Sequence, residues 1–441
     1  MLGCDVPVVL AGMGGVSRAE LVAAVSNAGG FGFLGMVRES PALIRSEIAA
    51  VRAATAREFG VNLIPAATDP VLLEAELEAV LAEQVAAVTL FWDLRPDIVR
   101  RLRDAGCKVL CQVGSLREAQ AAEAAGAHLV IAQGIEAGGH VRGSQDLREL
   151  VAELVAQVHI PVLAAGGIVN GRGLADMLAL GAQGVVIGTA FLATRESFAH
   201  DYHKQRIVDA RPGDTIHTRV FHINWPVGAP VRVLHNSVTR GERGNPFSTV
   251  RQIIGHEQDR PIYLFSTDSP LCNMHGDFEA MALYAGEGSG VIHHIPGAAQ
   301  RLRDIVTEAR ELLASTTEKI RDDAVVELAS PACAMSAADD EFMGYAGRDE
   351  LVQCLVEALQ LAGGVDRQLS LSPDRERLRN RLLAQLRQLA GTSHTLHGNT
   401  PVSDRGEILQ RLRQWLPRVR NDVLHADLTE WLRSHEADSP R

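Results

Sequence analysis

From residue 6 to residue 190, short apolar runs of β type alternate with longer amphipathic stretches of helical type. The apolar runs fall at residues 6–11, 31–35, 60–64, 87–91, 108–113, 128–132, 161–165 and 184–188. Between them lie segments such as SRAELVAAVSNAG, DPVLLEAELEAVLAEQ, RPDIVRRLRDAG, SLREAQAAEAAG, SQDLRELVAELVAQV and GRGLADMLALGA. Most of these open on Ser, Asp or Pro and several close on Gly, which are helix start and stop signals. Repeated strand–helix units build a parallel sheet, and eight in succession close most economically into a (β/α)₈ TIM barrel, an α/β fold. Each unit spans roughly 20–30 residues, so there is little room for domains inserted between strands.

Beyond the eighth run, RESFAHDYHKQRIVDA reads as the last barrel helix. Residues 211–268 carry aromatics and prolines without clear periodicity and predict an irregular or partly extended lid. The segment FEAMALYAGEGSGVIHHIPGAAQRLRDIVTEARELLAST reads as helix, glycine turn and helix, returning to cap the barrel and closing the first unit near Ser315. Residues 316–346 are small and acidic, suiting a linker, and residues 347–441 are Leu-, Arg- and Glu-rich at helical spacing, suiting a small helical bundle of unassigned role.

At 441 residues, 46% hydrophobic and 22% charged, the composition is that of an ordinary globular protein of more than one domain. No apolar run approaches the ~20 residues of a membrane span. The net charge of -11, without a dense Lys/Arg block in the first half, gives no footprint for nucleic acid. An anionic cofactor must therefore be held locally, by backbone amides. The N-terminus MLGCDVPVVLAG has no room for the apolar core of a signal peptide, and a cytoplasmic protein is expected. Six cysteines lie scattered without a Cys-x-x-Cys pair or a nearby His at zinc spacing, so buried or incidental thiols are expected and no metal site.

The strongest chemical signal is at the seventh and eighth runs. PVLAAGGI ends in Gly166 and Gly167, and VIGTAF places Gly188 and Thr189 directly after Ile187. In (β/α)₈ enzymes the loops after these strands commonly form a phosphate site, because glycine permits close approach and N–H groups at a helix start favour an anion. Relief of crowding at two strand-to-helix turns is the plainer alternative. The second signal, QGIEAGGHVRG after the sixth run, contains Gln133, Glu136, Gly138, Gly139 and His140. Its glycines let backbone pass close to a flat ring, and His140 brings a titratable imidazole to the catalytic face. A loop histidine alone is more often merely solvated, but its place after a barrel strand favours a general acid or base. Gly30, Gly32 and Gly35 match G-x-G-x-x-G, yet they follow a helix and form a strand, the reverse of a dinucleotide fingerprint. His293, His294, His394 and His397 lack accompanying ligands and read as surface or packing residues.

Taken together, AGMGGVSRAELVAAVSNAGGFGFLG, FGVNLI, QGIEAGGHVRG, AAGGI, VIGTAFLATRES, FSTDSP and MALYAGEGSGVI, in this order over about residues 5–312, resemble the nitronate monooxygenase family and its relatives, the flavin-type enoyl-acyl carrier protein reductases. The resemblance implies FMN, with its ring over Gly12, Met13 and Gly14 beside Asn62 and Gln133, near Gly138 and Gly139. It implies the phosphate at Gly166, Gly167, Gly188 and Thr189, next to Ile187. It implies that His140 is the active-site base or substrate-polarising group. The family's Gln-Ala-Pro-Met is here Leu10, Ala11, Gly12 and Met13, a change that bears on the substrate more than on the cofactor. The leading expectation is oxidation of a small nitronate with O₂. Alternatives are an NAD(P)H-dependent FMN reductase of an enoyl thioester or quinone, and a flavoprotein-derived scaffold in a biosynthetic complex. A homodimer is compatible with the chain, and the C-terminal helices offer a face for a protein partner.

Overall fold

The computed structural model describes residues 1–329, apart from Val227, Phe247 and Thr249, together with Thr429. Its strands are β1 (Val8–Leu10), β2 (Phe31–Gly35), β3 (Gly60–Leu63), β4 (Ala87–Leu90), β5 (Lys108–Val113), β6 (Leu129–Gln133), β7 (Gly139–His140), β8 (Val162–Ala165), β9 (Gly184–Ile187), β10 (Thr215–Thr218), β11 (Val231–Leu234), β12 (Ile253–Glu257), β13 (Arg260–Tyr263) and β14 (Met274–Gly276). The helices are α1 (Ala19–Asn27), α2 (Pro41–Ala54), α3 (Pro70–Ala82), α4 (Pro96–Asp104), α5 (Leu116–Ala125), α6 (Leu147–Gln157), α7 (Gly171–Ala179), α8 (Thr189–Leu192), α9 (Asp201–Val208) and α10 (Ala298–Ala329). Strands β1-β2-β3-β4-β5-β6-β8-β9 form a closed barrel. Its pairs are parallel, and β9 closes onto β1 with Val9 opposite Val186. Each of the eight apolar runs supplies one barrel strand.

Local signals position the helices. Ser40 accepts from the Leu43 amide ahead of Pro41, Asp69 accepts from Val71 and Leu72, and Ser115 accepts from Glu118. Alternate strand residues point to opposite faces. Val9, Phe31, Phe33, Leu110, Leu129, Ile131, Leu163 and Val186 fill the barrel interior. Their neighbours Val8, Leu10, Leu34, Val61, Val88 and Val185 pack outward against the helices. Full burial stabilises by about 1.5–3 kcal/mol per Val, Leu or Phe side chain, so both layers commit each strand to one register.

Two small antiparallel sheets follow the barrel. One has the order β10-β11-β7 and the other β13-β12-β14, so residues 211–268 are partly extended, as expected. The last barrel helix is shorter than its sequence suggests: residues 195–200 are irregular, and the His200 ring caps α9 by accepting from the Tyr202 amide. The first helix expected in FEAMALYAG does not form. Phe278–Ala280 is a single 3-10 turn, and Met281, Ala282, Leu283 and Ala285 are all buried. The Leu283 carbonyl accepts from Leu234 and the Met281 carbonyl from Asn236, so tertiary hydrogen bonds override the helical propensity of this Ala- and Leu-rich run. The second helix, α10, forms and continues past Ser315 to Ala329. Residues 1–327 make one compact unit and residues 328–441 another. The rest of the expected linker, and the helical bundle apart from Thr429, lie outside the described residues.

Among the described residues no helix is long and apolar enough to cross a membrane. Cys107 and Cys111 are buried free thiols, and Cys272 is an exposed one. His293 and His294 are exposed, and His394 and His397 lie outside the described residues.

Candidate active site

The barrel strands end in a cavity of about 490 Å³, walled by the segments that follow β1, β3, β4, β6, β8 and β9. Gly12, Met13, Gly14, Asn62, Gln133, Gly138, Gly139, His140, Gly166, Gly167, Gly188 and Thr189 all line it. Ile187 does not, because its side chain belongs to the packing between sheet and helices. Glu136, in the same motif as His140, accepts from the Leu147 amide (3.0 Å) and so secures the start of α6.

One wall is built of backbone. Gly166 and Gly167 have φ of 127° and 65°, which an L side chain rarely adopts. A Cβ added at Gly188 would make only ordinary contacts, the nearest with Met13 Sδ at 3.5 Å, and the residue lines the cavity. At Gly12, by contrast, a Cβ would stand 2.2 Å from the Asn62 Cβ, so the small residue brings the end of β1 onto β3. The Asn62 Nδ2 donates to the Thr89 carbonyl (3.3 Å), while its buried Oδ1 has no partner. The Thr189 hydroxyl accepts from the Gly286 amide (3.0 Å), tying the segment after β14 to the barrel.

The opposite wall centres on His140. It lies in a two-residue strand paired with Val231 of β11, and not in the free loop that its glycine-rich neighbours suggest. Gln133, at the end of β6, is buried and uses both ends of its carboxamide on this segment. Nε2 donates to the His140 carbonyl (2.8 Å), and Oε1 accepts from the Arg142 amide (3.0 Å). The imidazole stacks on Trp225, centroids 3.3 Å apart, and Trp92 meets the edges of both rings. His140 Nε2 is buried without a hydrogen-bond partner. Burial, aided by the nearby charge of Arg38, holds the imidazole well below its ordinary pKa, so it is neutral at physiological pH.

The sequence reading missed several residues at this wall. Trp225 lies in the stretch expected to be irregular or partly extended, and its Nε1 is a second buried atom without a partner. Tyr284 donates through its hydroxyl to the Thr267 carbonyl (2.8 Å), and burial raises its pKa. Arg260 lines the cavity and bridges Glu257 (2.6 Å) and Asp268 (2.9 Å). Strain gathers here: Arg38, Trp92, Asn224, Gln258 and Phe265 all have positive φ. Such conformations cost about 1–3 kcal/mol each and persist where surrounding contacts over-determine them. Arg38 and Asn224 line the cavity, Trp92 packs on Trp225, Gln258 follows the lining Glu257, and Phe265 stands two residues before the lining Thr267.

The sequence model of the family described as nitronate monooxygenase matches residues 1–308, well over half of the chain. The chain belongs to the nitronate monooxygenase family. It is accordingly an oxidoreductase enzyme. The nitronate monooxygenase of Pseudomonas aeruginosa is 32% identical over 356 residues, covering 70% of this chain and 98% of its own length. A (3aS,4S,5R,7aS)-5-hydroxy-7a-methyl-1-oxo-octahydro-1H-indene-4-carboxyl-CoA dehydrogenase of Mycobacterium tuberculosis is 32% identical over 343 residues, covering 70% and 94%. Among solved structures, FabK of Thermotoga maritima superposes with a TM-score of 0.62 at 33% identity, covering 73% of this chain and 96% of that one. A nitroalkane oxidase of Streptomyces ansochromogenes gives 0.59 at 31%, covering 71% and 98%. Both cavity walls of this nitronate monooxygenase family member therefore lie within the matched region, whereas the chain beyond residue 308 is outside it.

Proposed function

We propose that the chain is an FMN-dependent nitronate monooxygenase-like enzyme that oxidises a small nitronate or related compound with O₂. The observation that carries this reading is the neutral His140, whose buried Nε2 is without a partner beside a cavity with a backbone wall. FMN suits that wall. Gly166, Gly167, Gly188 and Thr189 would hold its phosphate, since all four line the cavity. Gly12, Met13 and Gly14 would lie against its ring near Gly138 and Gly139, and the unpartnered Asn62 Oδ1 would accept a ring N–H. When bound, FMN supplies the acceptor for the substrate's electrons.

The protein's own residues do the rest. Gln133 fixes the segment bearing His140, and Trp225 fixes the plane of the ring. A neutral imidazole can take a proton from the carbon next to a nitro group, which an imidazolium cannot. The cluster of Ile64, Phe91, Trp92, Trp225 and Ala229 keeps water from the site. Oxygen uptake by FMN-loaded protein, measured over nitroalkanes and their nitronates, tests the reading: turnover with nitrite release is expected. The likeness to FabK favours a second reading, a pyridine-nucleotide-dependent reductase of an enoyl thioester. Fast anaerobic bleaching of the flavin by NADH or NADPH, with no oxygen uptake on nitronates, would replace the first reading by the second.

A further inference from the structure

The cavity carries more charge than the proposed chemistry uses. Among its lining residues, Glu39 pairs with Arg18 (2.9 Å), while Glu257 and Asp268 share Arg260. Arg38 joins none of these pairs. Its Nη1 donates to the Asn224 carbonyl (2.8 Å), and among the described residues no carboxylate oxygen forms an ion pair with it, although its charge is felt at the buried Glu76 carboxyl. Its charge reaches both His140 and Tyr284.

Arg38 is also held in place at a cost. Its φ is 60°, and the carboxyl of Glu76, a fully buried residue on α3, takes hydrogen bonds from the backbone of Arg38 and Glu39, the latter at 3.0 Å. Asn224, which receives the guanidinium, is itself at φ 70°. A flexible surface arginine needs none of this. A guanidinium held on the same cavity as the candidate base, with donors to spare, is a receptor for an anion.

We infer that Arg38 anchors the substrate through a planar two-oxygen anion, placing the reacting carbon within reach of His140. This rests on the functional reading above. The guanidinium fork matches two coplanar oxygens, which a lysine ammonium does not. Such an anion has two sources: the nitronate group itself, or a separate carboxylate on the same small molecule.

The test uses the FMN-loaded full chain and its Arg38→Gln and Arg38→Lys variants. Butanoate, a carboxylate that cannot react, is titrated by calorimetry. Arg38→Gln should weaken its binding about 10- to 100-fold, the range of a charge-assisted hydrogen-bonded contact, and Arg38→Lys should recover part of it. Flavin content and melting temperature should not change. In turnover, KM for the nitronate should rise by a similar factor with kcat less affected. A rise for ethyl nitronate and for the nitronate of 3-nitropropanoate alike assigns the anchor to the nitronate oxygens. A rise for the second alone assigns it to the carboxylate. Butanoate affinity within twofold of wild type in Arg38→Gln, or loss of flavin from that variant, overturns the inference. The butanoate titration needs no turnover, so inactivity toward nitronates would remove the functional reading while leaving Arg38 to be judged by binding alone.

Discussion

Replacing Gln133 by leucine tests whether His140 is positioned by the end of β6. The side chain is buried, and the change removes two hydrogen bonds at once: Nε2 to the His140 carbonyl at 2.8 Å and the Arg142 amide to Oε1 at 3.0 Å. A lost buried hydrogen bond whose partner stays dry costs about 1–3 kcal/mol, so the pair is worth about 2–6 kcal/mol. If the strand stays docked, the cost appears as stability, lowering the melting temperature by about 1.5 °C per kcal/mol in a unit of this size. If the segment detaches to find water, the cost falls on catalysis, since a displacement of about 1 Å at a reacting group can lose about 10²-fold in rate. Melting temperature, flavin absorbance and turnover of a neutral nitroalkane should be measured on the same preparations. The expected result is a yellow protein that has lost stability, rate or both. A Gln133→Leu protein with wild-type melting temperature and turnover would refute the positioning role. One that lost flavin while retaining stability would show instead that the carboxamide serves the cofactor.

His140→Ala should keep its flavin and lose about 10² to 10⁴ in turnover of a neutral nitroalkane, with a smaller loss on the preformed nitronate, which needs no proton removed from carbon; equal losses on both would point to polarisation. Gly188→Leu should fold normally, because its φ of -105° suits any residue and its Cβ has room, yet bind FMN more weakly; Gly167→Leu should lose stability as well, because of its positive φ. Equilibrium dialysis and thermal melting separate the two. Burial pushes the Glu76 carboxyl up to about 8. The folded protein therefore keeps a proton that the unfolded chain releases above about 4.3, so this contribution is full at lower pH and is lost as pH rises toward 8. Glu76→Gln should flatten the fall in melting temperature over that window, and an unaltered slope would show that Glu76 does not cause it.

The barrel was legible because its signals are local. Each strand is a short apolar run, and helix caps such as Ser40, Asp69 and Ser115 sit beside the helices they start. The glycine wall was legible for the same reason: Gly166, Gly167 and Gly188 directly follow strands. The histidine wall is different. No property of Gly139 and His140 foretells a strand, since that strand exists only through Val231 and Arg232 far along the chain. Trp225, Tyr284 and Arg260 come from segments whose conformation depends on what they cover. Residues 281–285 look helical in isolation, and only the demands of Leu234 and Asn236 on their carbonyls keep them extended. Arg38 carried no signal either, for a guanidinium after a strand is ordinary until its neighbours are seen to be paired.

The pairing of His140 with Val231 sets an order of events during synthesis. The last barrel strand ends at Ile187, so the barrel can close before the strand that covers the histidine has left the ribosome. About ninety residues separate the two partners, which at about 5–20 residues per second is a delay of roughly 5–18 s. Until then the imidazole lacks both the strand that buries it and Trp225 against its face. The newborn barrel is thus a complete ring of strands around a histidine still unpositioned, and chain that arrives seconds later finishes the cavity.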